Sequence, residues 1–116
     1  MTDKIVVLVT CASAKEARRI ARTLVTQRLA ACVNIFEIPV RSIYRWKEKI
    51  ESAKESLLIV KSSRNRFAAL QKVIKQLHSF DVPEIIALPV AQGSRDYLAW
   101  LERSVRPAAT GRIKRA

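Results

Sequence analysis

"ACVNIFEIPVRSIYRWKEKIESAKESLLIVKS", residues 31–62, decides the fold, because it reads as two strands with no helix between them. From Ala31 to Trp46 the pattern is β-like, with Ile38, Val40, Ser42, Tyr44 and Trp46 on one face. "KEK" (47–49) is a polar turn, and "IESAKESLLIVKS" (50–62) returns as the partner strand. Pro39 has no N–H to give a ladder, so it marks an edge position or a bulge. Each strand can run about 9 to 12 residues, roughly 30 to 40 Å at ~3.3 Å per residue. A compact domain of this size is only about 34 Å across. The hairpin is therefore expected to project beyond its own helices and expose Ile43, Tyr44, Trp46 and Ile50. Such a ribbon is marginal alone and prone to association, which a closed ring of copies would satisfy.

Working outward, "KIVVLVT" (4–10) is a continuous apolar run rich in β-branched residues, the sign of a strand buried on both faces. Ser13 and Glu16 follow at capping-box spacing. Ala17, Ile20, Ala21, Leu24 and Val25 then recur at helical intervals, predicting a helix over about 14–29 with Arg18, Arg19 and Arg22 toward solvent. On the other side, Ser62 or Ser63 can cap a helix over about 64–78, with Phe67, Leu70, Ile74 and Leu77 inward. "VPEIIALPV" (82–90) is the fourth strand, and "RDYLAWLERSV" (95–105) a short last helix. The order β-α-β-β-α-β is the ferredoxin-like plan, an α+β fold with a four-stranded antiparallel sheet and two helices on one face. Residues 1–105 are expected to form one domain, and 106–116 a basic, disordered extension.

Composition narrows the function classes. The 116 residues are 49% hydrophobic and 28% charged, the balance of a globular domain. No apolar run reaches the roughly 20 residues of a membrane helix, and "MTDK" precedes too short a run for a secretory signal. On that basis the chain is expected in the cytoplasm, without a membrane partner. The net charge of +12 concentrates in "KSSRNRFAALQKVIKQLH" (61–78) and in the C-terminal segment, a surface that attracts polyanions. Two glycines, Gly93 and Gly111, cannot build a phosphate loop or a dinucleotide fingerprint. One histidine excludes a two-histidine zinc motif, and no serine sits in a nucleophile elbow. Cys11 and Cys32 are too few for a disulfide framework and read as small buried hydrophobes, with Cys11 a soft ligand at a strand end.

"LHSFDVPEIIALPV" (77–90) holds that lone histidine between a helix end and a strand start. His78 can serve the last helical carbonyls, while Pro83 starts the strand. Alternatively, His78 and Glu84 could converge on a divalent cation.

Several segments together resemble the CutA divalent-cation tolerance proteins: "LVTQRLAACVNI", "VRSIYRWKEKIE", "ESLLIVKS", "LHSFDVPEIIALPV" and "SRDYLAWLERSV". The likeness spans about residues 4–105, in order and spacing. It implies a non-enzymatic, cytosolic ferredoxin-like protein that forms a tight homotrimer and is linked to copper and heavy-metal tolerance. The trimer interface is then expected at Ile43, Tyr44, Trp46 and Ile50. Of the family's proposed copper ligands, the histidine and glutamate fall on His78 and Glu84, while the cysteine position aligns nearer Val9 than Cys11. Ser79 and Phe80 replace the usual proline and tyrosine, and Glu48 stands where the hairpin tip commonly has glycine. The leading reading is a trimeric, non-enzymatic protein associated with divalent-metal tolerance. Weak copper binding through His78, Glu84 and Cys11 is secondary to the structural role of the helix-to-strand junction. A polyanion- or nucleic-acid-binding module is the second, and a PII-like trimeric sensor of a small anionic ligand the third.

Overall fold

The computed structural model describes residues 1–107; the expected disordered extension lies, from residue 108 on, outside the described residues. The elements are β1 (Lys4–Cys11), α1 (Ala14–Thr26), β2 (Cys32–Trp46), β3 (Lys49–Ser63), a 3₁₀ turn (Arg64–Arg66), α2 (Phe67–Leu77), β4 (Ile86–Pro89) and α3 (Arg95–Val105). The strands form one antiparallel sheet in the order β2-β3-β1-β4. This is the ferredoxin-like arrangement expected from the order of elements.

Alternation along the strands sets the core. Val7 and Val9 of β1 and Leu58 and Val60 of β3 have no exposed surface, and meet Ile20 and Leu24 of α1 and Leu70 and Ile74 of α2. Fully burying each such side chain is worth about 1.5–3 kcal/mol.

α1 ends at Thr26, three residues before the expected limit, because Arg28 adopts φ 58°. The Leu29 N–H then reaches Leu24 O at 2.9 Å and the Arg28 N–H reaches Val25 O at 3.1 Å, a Schellman closure without glycine. The Arg28 guanidinium donates to Arg106 O (2.8 Å) and Arg103 O (3.2 Å), fastening the end of α3 beside the end of α1.

Neither Ser62 nor Ser63 caps α2, which corrects the sequence expectation. Both hydroxyls are buried and committed elsewhere, Ser62 Oγ donating to Leu29 O (2.6 Å) and Ser63 Oγ accepting from Lys4 Nζ (2.9 Å). Lys4 is itself buried and also binds Asp3 and Glu102. Burial pushes its pKa down, but the bonds to both carboxylates outweigh that and leave it raised.

β4 is shorter than the expected 82–90. Extending its register would set Thr10 opposite Glu84, but the Thr10 carbonyl already accepts from His78 Nε2 at 2.7 Å. Pro83, beside that position, has no N–H to offer.

The hairpin is longer than the sequence estimate. β2 and β3 have 15 residues each, and the chain measures 58 × 30 × 24 Å. Pro39 sits in a bulge, where the register shifts between Phe36 and Val40. Its tip turns on Lys47 and Glu48, both with positive φ (49° and 70°).

Candidate metal centre at the end of the first strand

Three elements meet where β1 ends. Cys11, its last residue, is fully buried on the helical side of the sheet. Ser13 caps α1, its Oγ accepting from the Glu16 N–H at 3.1 Å. Glu16 completes a variant capping box, its Oε1 accepting from the Ala12 N–H (3.1 Å), one residue before the cap. Its other oxygen, Oε2, accepts from the Ser79 N–H at 2.9 Å. One carboxylate thus ties the start of α1 to the end of α2.

His78 closes α2, its N–H bonded to Ile74 O (2.9 Å). The ring stacks obliquely on Phe80 at 4.8 Å, and its Nδ1 accepts from the Phe80 N–H at 3.1 Å. That contact fixes the tautomer, so Nε2 is the donor to the Thr10 carbonyl. The ring bonds to β1 rather than to the helical carbonyls.

One ligand atom each from Cys11, Glu16 and His78 lies within 4.8 Å of the others. A thiol sulfur, an imidazole nitrogen and a carboxylate oxygen suit a borderline cation such as copper or zinc. Metal bonds of about 2.0–2.3 Å would draw these atoms slightly inward. Loading has two costs. Burial first, then the Glu16 and Glu55 charges, push the Cys11 thiol up to about 12, so a metal must displace its proton. His78 must also release one of its two ring bonds.

The structure therefore brings together Cys11 and His78 of the expected set, but with Glu16 as the carboxylate. Glu84 is outside this group; it is exposed and lines a neighbouring cleft of about 750 Å³. Tyr44, Trp46, Asp81 and the buried Glu55, whose Oε1 accepts from Ser42 Oγ at 2.6 Å, also line the cleft. Its lining carries three carboxylates and no lysine or arginine. That charge suits a cation rather than a small anion within one chain; the anion cleft of the PII-like reading would lie between subunits. Glu16 had a sequence signal only as a helix cap. Its second partner is 63 residues away and appears only in the fold.

The four expected interface residues are all exposed: Ile43 70%, Ile50 64%, Tyr44 42% and Trp46 41%. Sequence reasoning missed a second apolar surface. On the sheet face away from α1 and α2, the register aligns Val6 with Leu88, Leu8 with Ile86 and Ile59, and Leu57 with Phe36. Ile86, Leu88 and Phe36 are about half exposed. α3 covers only a corner, packing Leu101 and Val105 on Ala31.

The CutA1 divalent ion tolerance protein model matches residues 5–104. The chain belongs to this family. A Thermus thermophilus divalent-cation tolerance protein CutA is 49% identical over 100 residues, spanning 85% of this chain and 95% of that one. Its solved structure, at 47% identity, superposes with a TM-score of 0.86 over 89% of this chain and 99% of that one. The structure of a CutA from Archaeoglobus fulgidus, described as periplasmic, is 39% identical with a TM-score of 0.86, covering 89% of this chain and 99% of its own. A chloroplastic CutA of Arabidopsis thaliana is 42% identical over 103 residues, 88% of this chain and 56% of that protein.

These relatives overturn the cytoplasmic assignment. Members of the family are described from the periplasm and the chloroplast, and composition does not separate a domain in those compartments from a cytoplasmic one. Among the described residues no helix is long and apolar enough to cross a membrane.

Proposed function

We propose that this CutA-family chain is a non-enzymatic homotrimer that binds copper weakly, through Cys11, His78 and the carboxylate of Glu16. The observation that carries the metal reading is the approach of these three donors to within 4.8 Å at the end of β1. The family's association with divalent-ion tolerance agrees with it. Weak binding follows from the protonated, buried thiol and from the hydrogen bonds that His78 already makes. Calorimetric titration with copper tests the site. His78→Ala, Cys11→Ala and Glu16→Gln should each lower affinity at least tenfold, and Glu84→Ala should leave it nearly unchanged. Equal affinity across the folded variants would remove the site.

Assembly rests on the apolar surface one copy leaves uncovered: the bare face of the sheet and the hairpin beyond the helices. A large exposed apolar patch marks an interaction surface, and a closed ring of three would cover it without open-ended growth. Light scattering should give three times the 13.1 kDa of one chain. A stable, folded monomer at micromolar concentration would end this reading.

A further inference from the structure

The helical layer carries cations of one sign on its outer surface. Lys15, Arg18, Arg19 and Arg22 project from α1, and Arg64, Lys72 and Lys75 from the 3₁₀ turn and α2, all exposed. Glu16 is the only acid in α1, the 3₁₀ turn or α2, and it is occupied by the Ala12 and Ser79 amides. Among the described residues only Arg18 of these cations meets a carboxylate, Glu37, at 3.4 Å. The hairpin differs, since Arg41, Arg45, Lys47, Lys49 and Lys54 alternate there with Glu48, Glu51 and Glu55.

The fold gathers further arginines at one end of this layer. Ser62 Oγ bonds Leu29 O, so the end of α1 lies beside the chain entering α2. Arg28 bonds the carbonyls of Arg103 and Arg106, so the end of α3 lies at that same end.

We infer that this outer helical surface docks on the phosphate backbone of duplex nucleic acid. Its unpaired positive charge complements phosphates and would release their counterions. Neighbouring helices pack about 8–10 Å apart, close enough for cations on both to reach phosphates across a groove about 12 Å wide. Stacking on unpaired bases would need exposed aromatic rings. The most exposed rings lie elsewhere, Phe36 on the bare face of the sheet, Tyr44 and Trp46 on the hairpin, and Tyr97 and Trp100 on α3. Recognition is therefore of backbone rather than of base sequence. Assembly through the bare sheet face would leave this surface outside, and none of its cations belongs to the candidate metal centre, so the inference does not depend on that site.

The test is fluorescence anisotropy with a mixed-sequence DNA duplex of about 20 base pairs, titrated between about 50 and 200 mM KCl. The variant Arg19→Ser/Arg22→Ser/Arg64→Ser/Lys72→Ser removes four charges from the helical surface. Arg41→Ser/Arg45→Ser/Lys47→Ser/Lys49→Ser removes four from the hairpin. The helical variant should bind at least tenfold more weakly, with a salt slope reduced by about 3 to 4, and the hairpin variant within about threefold of wild type. If the first variant does not fold, each of its pairs, Arg19→Ser/Arg22→Ser and Arg64→Ser/Lys72→Ser, should show a smaller loss in the same direction. Equal losses from both surfaces would reduce the effect to net charge and overturn the inference. So would no duplex binding by the wild type, or binding only to vesicles containing anionic lipid.

Discussion

The two faces of the sheet come from the same strands and meet different fates. Facing the helices, Val7, Val9, Leu58 and Val60 have no exposed surface. Facing away, their neighbours Val6, Leu8, Leu57 and Ile59 are only partly covered, and Ile86, Leu88 and Phe36 are about half exposed. The continuous apolar run of β1 asks for burial on both faces, and one chain supplies only one helical layer. An apolar face without a layer is a request for a partner, so the unmet demand of a single strand and the proposed assembly are one observation. The covered face holds the chain's own stability; in the proposed assembly the bare face would make that stability dependent on concentration.

Substitutions at adjacent residues of β3 separate the two roles most sharply. Leu58→Ala opens a cavity under the helices and should cost about 3 kcal/mol in denaturant unfolding. Ile59→Asp, one residue on and on the opposite face, should instead lower the mass by light scattering from that of the proposed trimer toward 13.1 kDa. If Ile59→Asp kept the assembly intact, the bare face would not be its interface.

A smaller difference tests the covered side through pH. The Cys11 thiol has a folded pKa of about 12 against an ordinary value of 9.0. Between those values the unfolded chain has lost the thiol proton and the folded chain has kept it. Stability is therefore full below pH 9 and falls as pH rises toward 12. Lys4, whose pKa is also raised, adds a loss at the upper end of that window, above its ordinary 10.5. Cys11→Val should flatten the alkaline limb of a melting-temperature profile while keeping the Lys4 part. An unchanged limb would mean that the thiol titrates freely.

Most of the fold was legible because its signals are local. The Ser13 cap and the spacing of Ala17, Ile20, Ala21 and Leu24 give α1, and Pro39 announces the bulge. What escaped depends on contacts distant in sequence. Ser62 and Ser63 look like caps until Leu29 and Lys4 claim their hydroxyls. β4 looks longer until His78 takes the Thr10 carbonyl. At the candidate metal centre His78 and Cys11 stood out by residue type alone. Glu16 did not, because its capping role already explained it. The bare face was missed for a related reason: alternation shows that a strand is apolar on both sides, but not that the chain lacks a second layer.

The smallest effects contrast two non-glycine residues in the left-handed region, one in each part of the molecule. Such a conformation costs an ordinary side chain roughly 1–2 kcal/mol. Arg28, exposed just past the end of α1, has a use for the residue placed there, since its guanidinium holds the carbonyls of Arg103 and Arg106. Arg28→Ala keeps the strain and loses both bonds, and should cost about 1 kcal/mol. Arg28→Gly relieves the strain while losing the same bonds, and should come out close to neutral. Glu48, at the hairpin tip with φ 70°, makes no side-chain hydrogen bond or ion pair among those found in the described residues. Glu48→Gly should therefore stabilise by about 0.5–1 kcal/mol, glycine being favoured in a two-residue turn with both φ angles positive. The measurement is a pair of denaturation curves at matched protein concentration. A loss on Glu48→Gly would show that the carboxylate has a partner in the assembled protein, and would place the hairpin tip inside the interface.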